Sequence, residues 1–259
     1  MPIKPKKSLG QNFLADRNIR EKIVKAAEFN LKDAVLEIGP GRGEITSLLL
    51  PKVKKLYALE IDRSLCDVLK ETLGNHSNLE LINKDILKFD LFSIPGQIKV
   101  VGNIPYYIST PIIEHLFEYR EKIEAIFMTV QKEFAKRMSA APGSRDYSSL
   151  SCFVQYYCEP KVLFNIKRGS FYPVPNVDSS FIRLKIRKEP AVKVSDEKRL
   201  FVIIRAAFNQ RRKTLRNSLE GIIADEALEK FYRDNHISKG IRPESLSLKD
   251  FAALSEIAL

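Results

Sequence analysis

Four short stretches of the chain carry residue types that could do chemistry. In Glu37-Ile38-Gly39-Pro40-Gly41-Arg42-Gly43 an apolar run gives way to glycines. Glycine accepts the tight backbone that lets a ligand approach closely. A dinucleotide fingerprint would repeat glycine at its first, third and sixth positions, but the sixth here is Glu44, a carboxylate where a pyrophosphate would lie, so NAD is disfavoured. Twenty-one residues after Gly39, Glu60 ends another apolar run, where a carboxylate can accept both hydroxyls of an adenosine ribose. Asp85, within Asn83-Lys84-Asp85-Ile86, is placed to accept from an adenine amino group. Either acid alone would also serve as an ordinary strand-end cap. With the glycine loop they describe S-adenosylmethionine: a ribose acid, an adenine acid and no phosphate site.

The fourth stretch is Gly102-Asn103-Ile104-Pro105-Tyr106-Tyr107. Proline fixes the backbone so that neighbouring carbonyls face one way, and the Asn103 side-chain oxygen adds a second acceptor. Two acceptors on one exocyclic amine hold its hydrogens, turn the nitrogen lone pair out of conjugation and aim it at an electrophile such as a sulfonium methyl. Tyr106 offers the base a stacking face. A plain turn fits Asn103 and Pro105 equally well but leaves Tyr106 unexplained.

These residues need elements to hold them. Strands are expected at Ala34 to Ile38, Leu56 to Glu60, Leu79 to Asn83, Ile98 to Gly102 and Ile123 to Val130, with helices at Ile45 to Leu50, Leu65 to Leu73 and Pro111 to Tyr119. The last helix would open on Thr110 as cap, with Pro111 at its first position. Strands alternating with helices imply an α/β fold: a mostly parallel, Rossmann-like sheet covered on both faces. Lys161 to Ile166 and Ser180 to Ile186 would add a hairpin-like antiparallel edge, flanking a proline-rich loop. A boundary after Lys188 divides the chain into a catalytic domain, 1–188, with a basic N-terminal arm, and a small helical domain, 189–259. In the latter Phe201, Ile204 and Phe208 share one face and Leu215, Leu219 and Ile222 another.

The charge is unevenly spread. The 259 residues carry 43 basic and 32 acidic groups, a net +11, yet residues 161–216 alone hold 15 basic against 4 acidic. Lys4, Lys6 and Lys7 form the basic arm. A concentrated excess makes a field that attracts a polyanion, so Arg211, Arg212, Lys213 and Arg216 are candidate RNA phosphate contacts. At 44% hydrophobic and 29% charged residues, the composition excludes a disordered chain. No apolar run approaches the ~18 residues of a membrane span, and the N-terminus lacks a signal peptide's apolar core. Cys66, Cys152 and Cys158 are too few and scattered for a disulfide framework, and no metal-ligand spacing appears. The expectation is a cytoplasmic protein without a metal.

With these residues in hand, the sequence resembles the small-subunit rRNA adenine N6,N6-dimethyltransferase family, the KsgA type, over nearly its whole length. The resemblance rests on Gln11-Asn12-Phe13-Leu14, the glycine loop, Asn83-Lys84-Asp85, Asn103-Ile104-Pro105-Tyr106, the run from Phe171 to Ser179, and the run from Phe208 to Arg216. It implies that S-adenosylmethionine is held by Asn12, Leu14, Gly39, Gly41, Glu60, Asp85 and Asn103. It also implies that the target adenine is gripped by Asn103 and the carbonyl of Ile104 or Pro105, and stacked on Tyr106 and Phe171. The partner would be small-subunit rRNA in a pre-ribosomal particle, met by a monomer, and four methyls would go to two adjacent adenosines near the 3′ end. Two other readings stand beside it: a large-subunit rRNA methyltransferase of the antibiotic-resistance type, and a non-catalytic assembly or transcription factor on the same fold.

Overall fold

The computed structural model describes residues 5–6, 9–210 and 212–257; Lys4, Lys7 and Arg211 lie outside the described residues. In chain order the strands are β1 (Phe13–Leu14), β2 (Ala34–Ile38), β3 (Lys55–Glu60), β4 (Leu79–Asn83), β5 (Ile98–Asn103), β6 (Ile123–Gln131), β7 (Cys158–Ile166), β8 (Phe171–Tyr172) and β9 (Ser179–Ile186). The helices are α1 (Arg17–Ala26), α2 (Thr46–Leu49), α3 (Arg63–Leu73), α4 (Ser109–Glu118), α5 (Lys132–Ser139), α6 (Ser149–Tyr157), α7 (Glu197–Asn209), α8 (Leu215–Ser218), α9 (Asp225–Asp234) and α10 (Leu248–Ile257). The chain forms two compact units. One takes residues up to 135 together with 161–186, and the other takes 136–160 together with 187 onward. A single cut at 188 differs from this division because residues 136–160 belong with the helices.

In the first unit the described residues build a sheet in the order β4-β3-β2-β5-β6-β9-β7. Strands β2, β3, β5 and β6 are largely buried on both faces, which is why they read as near-continuous apolar runs such as Val35, Leu36 and Ile38, whereas the edge strand β4 is only half-covered. The parallel register pairs Ile38 with Leu59 and with Gly102, and Glu60 with Asn83. Gly39, Glu60, Asp85 and Asn103 therefore emerge along one edge. Strand order reverses between β2 and β5, and the crevice at such a switch point is where open α/β sheets bind ligands. The antiparallel addition has β9 paired to β6 in the interior of the sheet, with β7 at the margin. Apart from the sheet, β1 and β8 form an antiparallel ribbon that pairs Leu14 with Phe171.

Helix α4 begins earlier than its sequence suggests. A 3₁₀ turn over Tyr106–Ile108 leads directly into it, so Ser109 opens the helix and neither Thr110 nor any other side chain caps it. The Ile108 N–H and the Ser109 hydroxyl both donate to the Pro105 carbonyl, at 3.2 and 3.3 Å. Pro111 sits third in the helix, where its missing N–H is still one of the unpaired initial donors.

The second unit is helical, with α7 packed on α6, α8 and α10. Phe201 lies edge-on to Tyr156 at 5.2 Å, and Phe208 meets Tyr147 and Phe251 at 5.9 and 5.8 Å. Leu215 and Leu219 are buried, but the third member of that face is Ile223, 6% exposed, while Ile222 stands 45% exposed. The helical period fails there because α8 ends at Ser218. Cys152 and Cys158 are buried free thiols and Cys66 is half-buried.

Candidate active site

The glycine loop leaves β2 with Gly39, Gly41 and Gly43 all at positive φ, 67°, 60° and 84°. A side chain at Gly41 would press on the Phe13 ring, 3.0 Å from the Cβ position, whereas a Cβ at Gly39 would meet no atom within 4 Å. Gly39 thus opens onto free space. The Gly41 N–H donates to Glu60 Oε2 at 3.1 Å, and the Asp62 N–H to Glu60 Oε1 at 2.9 Å. Glu60 is 5% exposed, and burial raises its pKa against these two donors. Each carboxylate oxygen is oriented by one backbone bond and keeps further acceptor capacity. Asp85 Oδ1 takes the Leu87 N–H at 3.0 Å as cap of a 3₁₀ turn, and the residue is half-buried in the same cleft.

Leu9 to Leu14 line this cleft as a strap. Lys6 Nζ donates to Asp62 Oδ1 at 2.7 Å and Gln11 Nε2 to Asp62 Oδ2 at 3.1 Å, while the Lys6 N–H reaches Gln11 Oε1 at 2.8 Å. Burial works to raise the Asp62 carboxyl, but the hydrogen bonds from Lys6, Ser64 and Gln11 outweigh it and hold its pKa at about 2. Further along, the Asn12 carbonyl accepts from Asn103 Nδ2 at 2.8 Å. That bond fixes the orientation of the Asn103 amide, with Oδ1 left as an acceptor.

Asn12, Leu14, Gly39, Gly41, Glu60, Asp85, Asn103, Ile104, Pro105 and Tyr106 all line this one cleft. Tyr106 is held by a 2.5 Å hydrogen bond between its hydroxyl and Ser179 Oγ. Phe171 is the exception. It is 2% exposed and packs in the apolar core with Leu14, Ile166 and Phe181, outside the cleft lining. The ribbon with β1 turns this aromatic inward, so the expected stacking face is absent from the cleft. The Pro105 carbonyl, already holding two donors, leaves the Ile104 carbonyl as the more open backbone acceptor.

The basic segment is less coherent. Arg212 and Lys213 are exposed, Arg211 is outside the described residues, and Arg216 is bound to Asp225 at 3.0 Å and Glu229 at 3.2 Å. Its guanidinium is therefore partnered rather than offered to a phosphate.

No motif in the sequence assigns a role to three polar features in or beside the cleft: the lock on Asp62, Arg20 and Glu37. Glu37 is 3% exposed and its Oε2 has no hydrogen-bond partner. Burial, opposed by the neighbouring Thr46 hydroxyl and reinforced by repulsion from Glu60 and Glu44, pushes its pKa up to about 8. A signal for it exists, since this carboxylate sits inside a strand whose neighbours Leu36 and Ile38 are buried. Unpartnered polar atoms and an open Gly39 suit a ligand with charged ends, as S-adenosylmethionine is.

Among known proteins, a family profile described as ribosomal RNA adenine dimethylase matches residues 3–258. The chain is 45% identical to the ribosomal RNA small subunit methyltransferase A of Lachnoclostridium phytofermentans, over 97% of its own length and 90% of the other's. It is 44% identical, with the same coverage, to the protein of that name from Bacillus licheniformis. Among solved structures it is similar to a dimethyladenosine transferase from Plasmodium falciparum, with TM-score 0.77 and 29% identity over 93% of this chain and 95% of that one. It is also similar to the 23S rRNA methyltransferase ErmE, with TM-score 0.76 and 28% identity over 95% and 99%.

Proposed function

Because the chain belongs to the ribosomal RNA adenine dimethylase family, we propose that it uses S-adenosylmethionine to convert two adjacent adenosines near the 3′ end of small-subunit rRNA into N6,N6-dimethyladenosines. The observation that carries this reading is the Asn103 amide, tied through Nδ2 to the Asn12 carbonyl at 2.8 Å in the cleft that Glu60 and Tyr106 also line. A large-subunit target is not favoured: the relatives at 44–45% identity bear the small-subunit name, against 28% for the 23S enzyme.

When bound, S-adenosylmethionine supplies a methyl group made electrophilic by its sulfonium. Glu60 would accept the ribose hydroxyls and Asp85 the adenine amino group, with the glycine loop and Leu14 as walls. At the target base, Asn103 Oδ1 and the Ile104 carbonyl would each accept one N6 hydrogen before the first transfer, and one of them would hold the single hydrogen left before the second. That arrangement turns the nitrogen lone pair out of the ring's conjugation and toward the methyl. In each transfer N6 gains a methyl and gives up one proton to solvent. Fixed acceptors of this kind need no reorganisation as charge develops. Tyr106, steadied by Ser179, would stack on the base, without help from Phe171. Transfer of this type depends on in-line positioning and exclusion of water more than on a strong base.

Arg212 and Lys213 would contact phosphates. The protein would act in the cytoplasm as a monomer on a pre-ribosomal particle; no described helix is long and apolar enough to cross a membrane. Single-turnover transfer should be compared on assembling small-subunit particles, naked small-subunit rRNA and large-subunit rRNA. Fastest labelling of the particle is expected. Preferential labelling of large-subunit rRNA would overturn the assignment.

A further inference from the structure

We infer that Arg20 anchors the α-carboxylate of the cofactor's methionyl end, an inference that rests on the cofactor reading above. Arg20 lies in the first turn of α1, whose N-terminus is closed by Asp16 accepting from the Asn18 and Ile19 N–H groups at 2.9 and 3.3 Å. Helical side chains lean toward the N-terminus. Accordingly Arg20 Nη2 reaches back to the Ala15 carbonyl at 3.3 Å, which sets the guanidinium beside Leu14 in the wall of the cleft. Its Nε is buried and bonds to nothing. Glu37 and Glu44 line the same cleft, yet Arg20 enters no ion pair among the described residues. A guanidinium cannot shed its proton, so this buried Nε–H calls for an acceptor that the described protein atoms do not supply.

Position identifies that acceptor. Asp85 follows β4 and Gly39 follows β2, two strands apart, or about 10 Å at normal strand spacing. Helix α1 packs against α2 and β1, so Arg20 stands at the glycine-loop end of the cleft. Among the described residues the other cation in the lining is Lys84, next to Asp85 at the far end. A ligand whose adenosine rests on Glu60 and Asp85 extends its opposite end to Arg20. In S-adenosylmethionine that end carries a carboxylate, and the Nε with a neighbouring Nη presents the side-on fork that fits one.

Calorimetric titration with S-adenosylhomocysteine and with its decarboxylated analogue tests this without turnover. Arg20→Leu should weaken S-adenosylhomocysteine by about ten- to a hundredfold, the range for removing a hydrogen bond to a charged group. The decarboxylated analogue should change by less than about twofold, which also shows that the variant is folded. Arg20→Lys should recover part of the affinity, since it keeps the charge without the fork. Equal weakening of both ligands, or no weakening of S-adenosylhomocysteine, would overturn the assignment of Arg20 alone. A wild-type protein that binds neither ligand would overturn it together with the cofactor reading.

Discussion

Gly39, Glu60, Asp85 and Asn103 stand at the ends of four different strands and still share one cleft. Arg212, Lys213 and Arg216 are near neighbours in sequence and part company: two project into solvent, and the third is bound to Asp225 and Glu229. The difference lies in what sets each position. Residues at the ends of parallel strands are placed by ladder bonds and register, which a short side chain cannot escape. Long cationic side chains on a short helix and its approach are placed by the nearest acid. Adjacency in sequence thus predicts less about a shared site than common membership of one sheet edge.

If that contrast holds, the largest effect belongs to the sheet edge. Asn103→Ala should raise the barrier by about 3 kcal/mol, roughly a hundredfold in single-turnover rate, as for other preorganised polar groups. RNA affinity should persist, and rates must be compared at saturating cofactor because Asn103 also lines the cofactor cleft. Next, Glu60→Ala should weaken S-adenosylmethionine binding by about 1.5–3 kcal/mol, read by calorimetry, and leave RNA binding intact.

Glu37 sharpens the comparison through pH. Its folded carboxyl keeps a proton up to about pH 8, whereas in the unfolded chain it releases one near pH ~4.3. Folding takes up a proton between those values, so this group makes stability fall as pH rises across that window. Glu37→Gln, neutral at every pH, should abolish that slope in cofactor-free protein. It should also be more stable than wild type at pH 8 by on the order of a few kcal/mol, since each tenfold change in a protonation equilibrium is worth roughly 1.4 kcal/mol. Denaturant titrations at pH 5 and 8 would show it, and parallel slopes for wild type and variant would contradict the account. The smallest effect is at the basic segment. Removing Arg212 and Lys213 together should flatten the salt dependence of RNA binding by about 0.7–0.9 log unit for each phosphate that is no longer neutralised. Arg216→Ala should leave it unchanged, and an equal flattening from Arg216 would mean that RNA displaces Asp225 and Glu229.

Much of the sheet is legible in the sequence because β-branched and apolar runs such as Ala34 to Ile38 and Ile98 to Gly102 fit strands of a covered sheet. Their ends carry Glu60, Asp85 and Asn103, which the structure brings into one cleft. Helix α1 escapes notice because it buries only Ile23 and Val24 among charged neighbours, and Arg20 is hidden with it. The strap is illegible for another reason: Lys6, Gln11 and Asp62 meet across fifty residues by side-chain bonds that no spacing encodes. Phe171 shows the opposite error. An aromatic beside prolines reads as a stacking face, while two-residue strands β1 and β8, too short to leave a pattern, fold it into the core.

Mass spectrometry of small-subunit rRNA, after assembling particles are incubated with the protein and isotopically labelled cofactor, tests the central claim most directly. Wild type should give two adjacent N6,N6-dimethyladenosines near the 3′ end, and Asn103→Ala roughly a hundredfold less product at early times. Label elsewhere in the rRNA, or a near-normal yield from Asn103→Ala, would contradict the account.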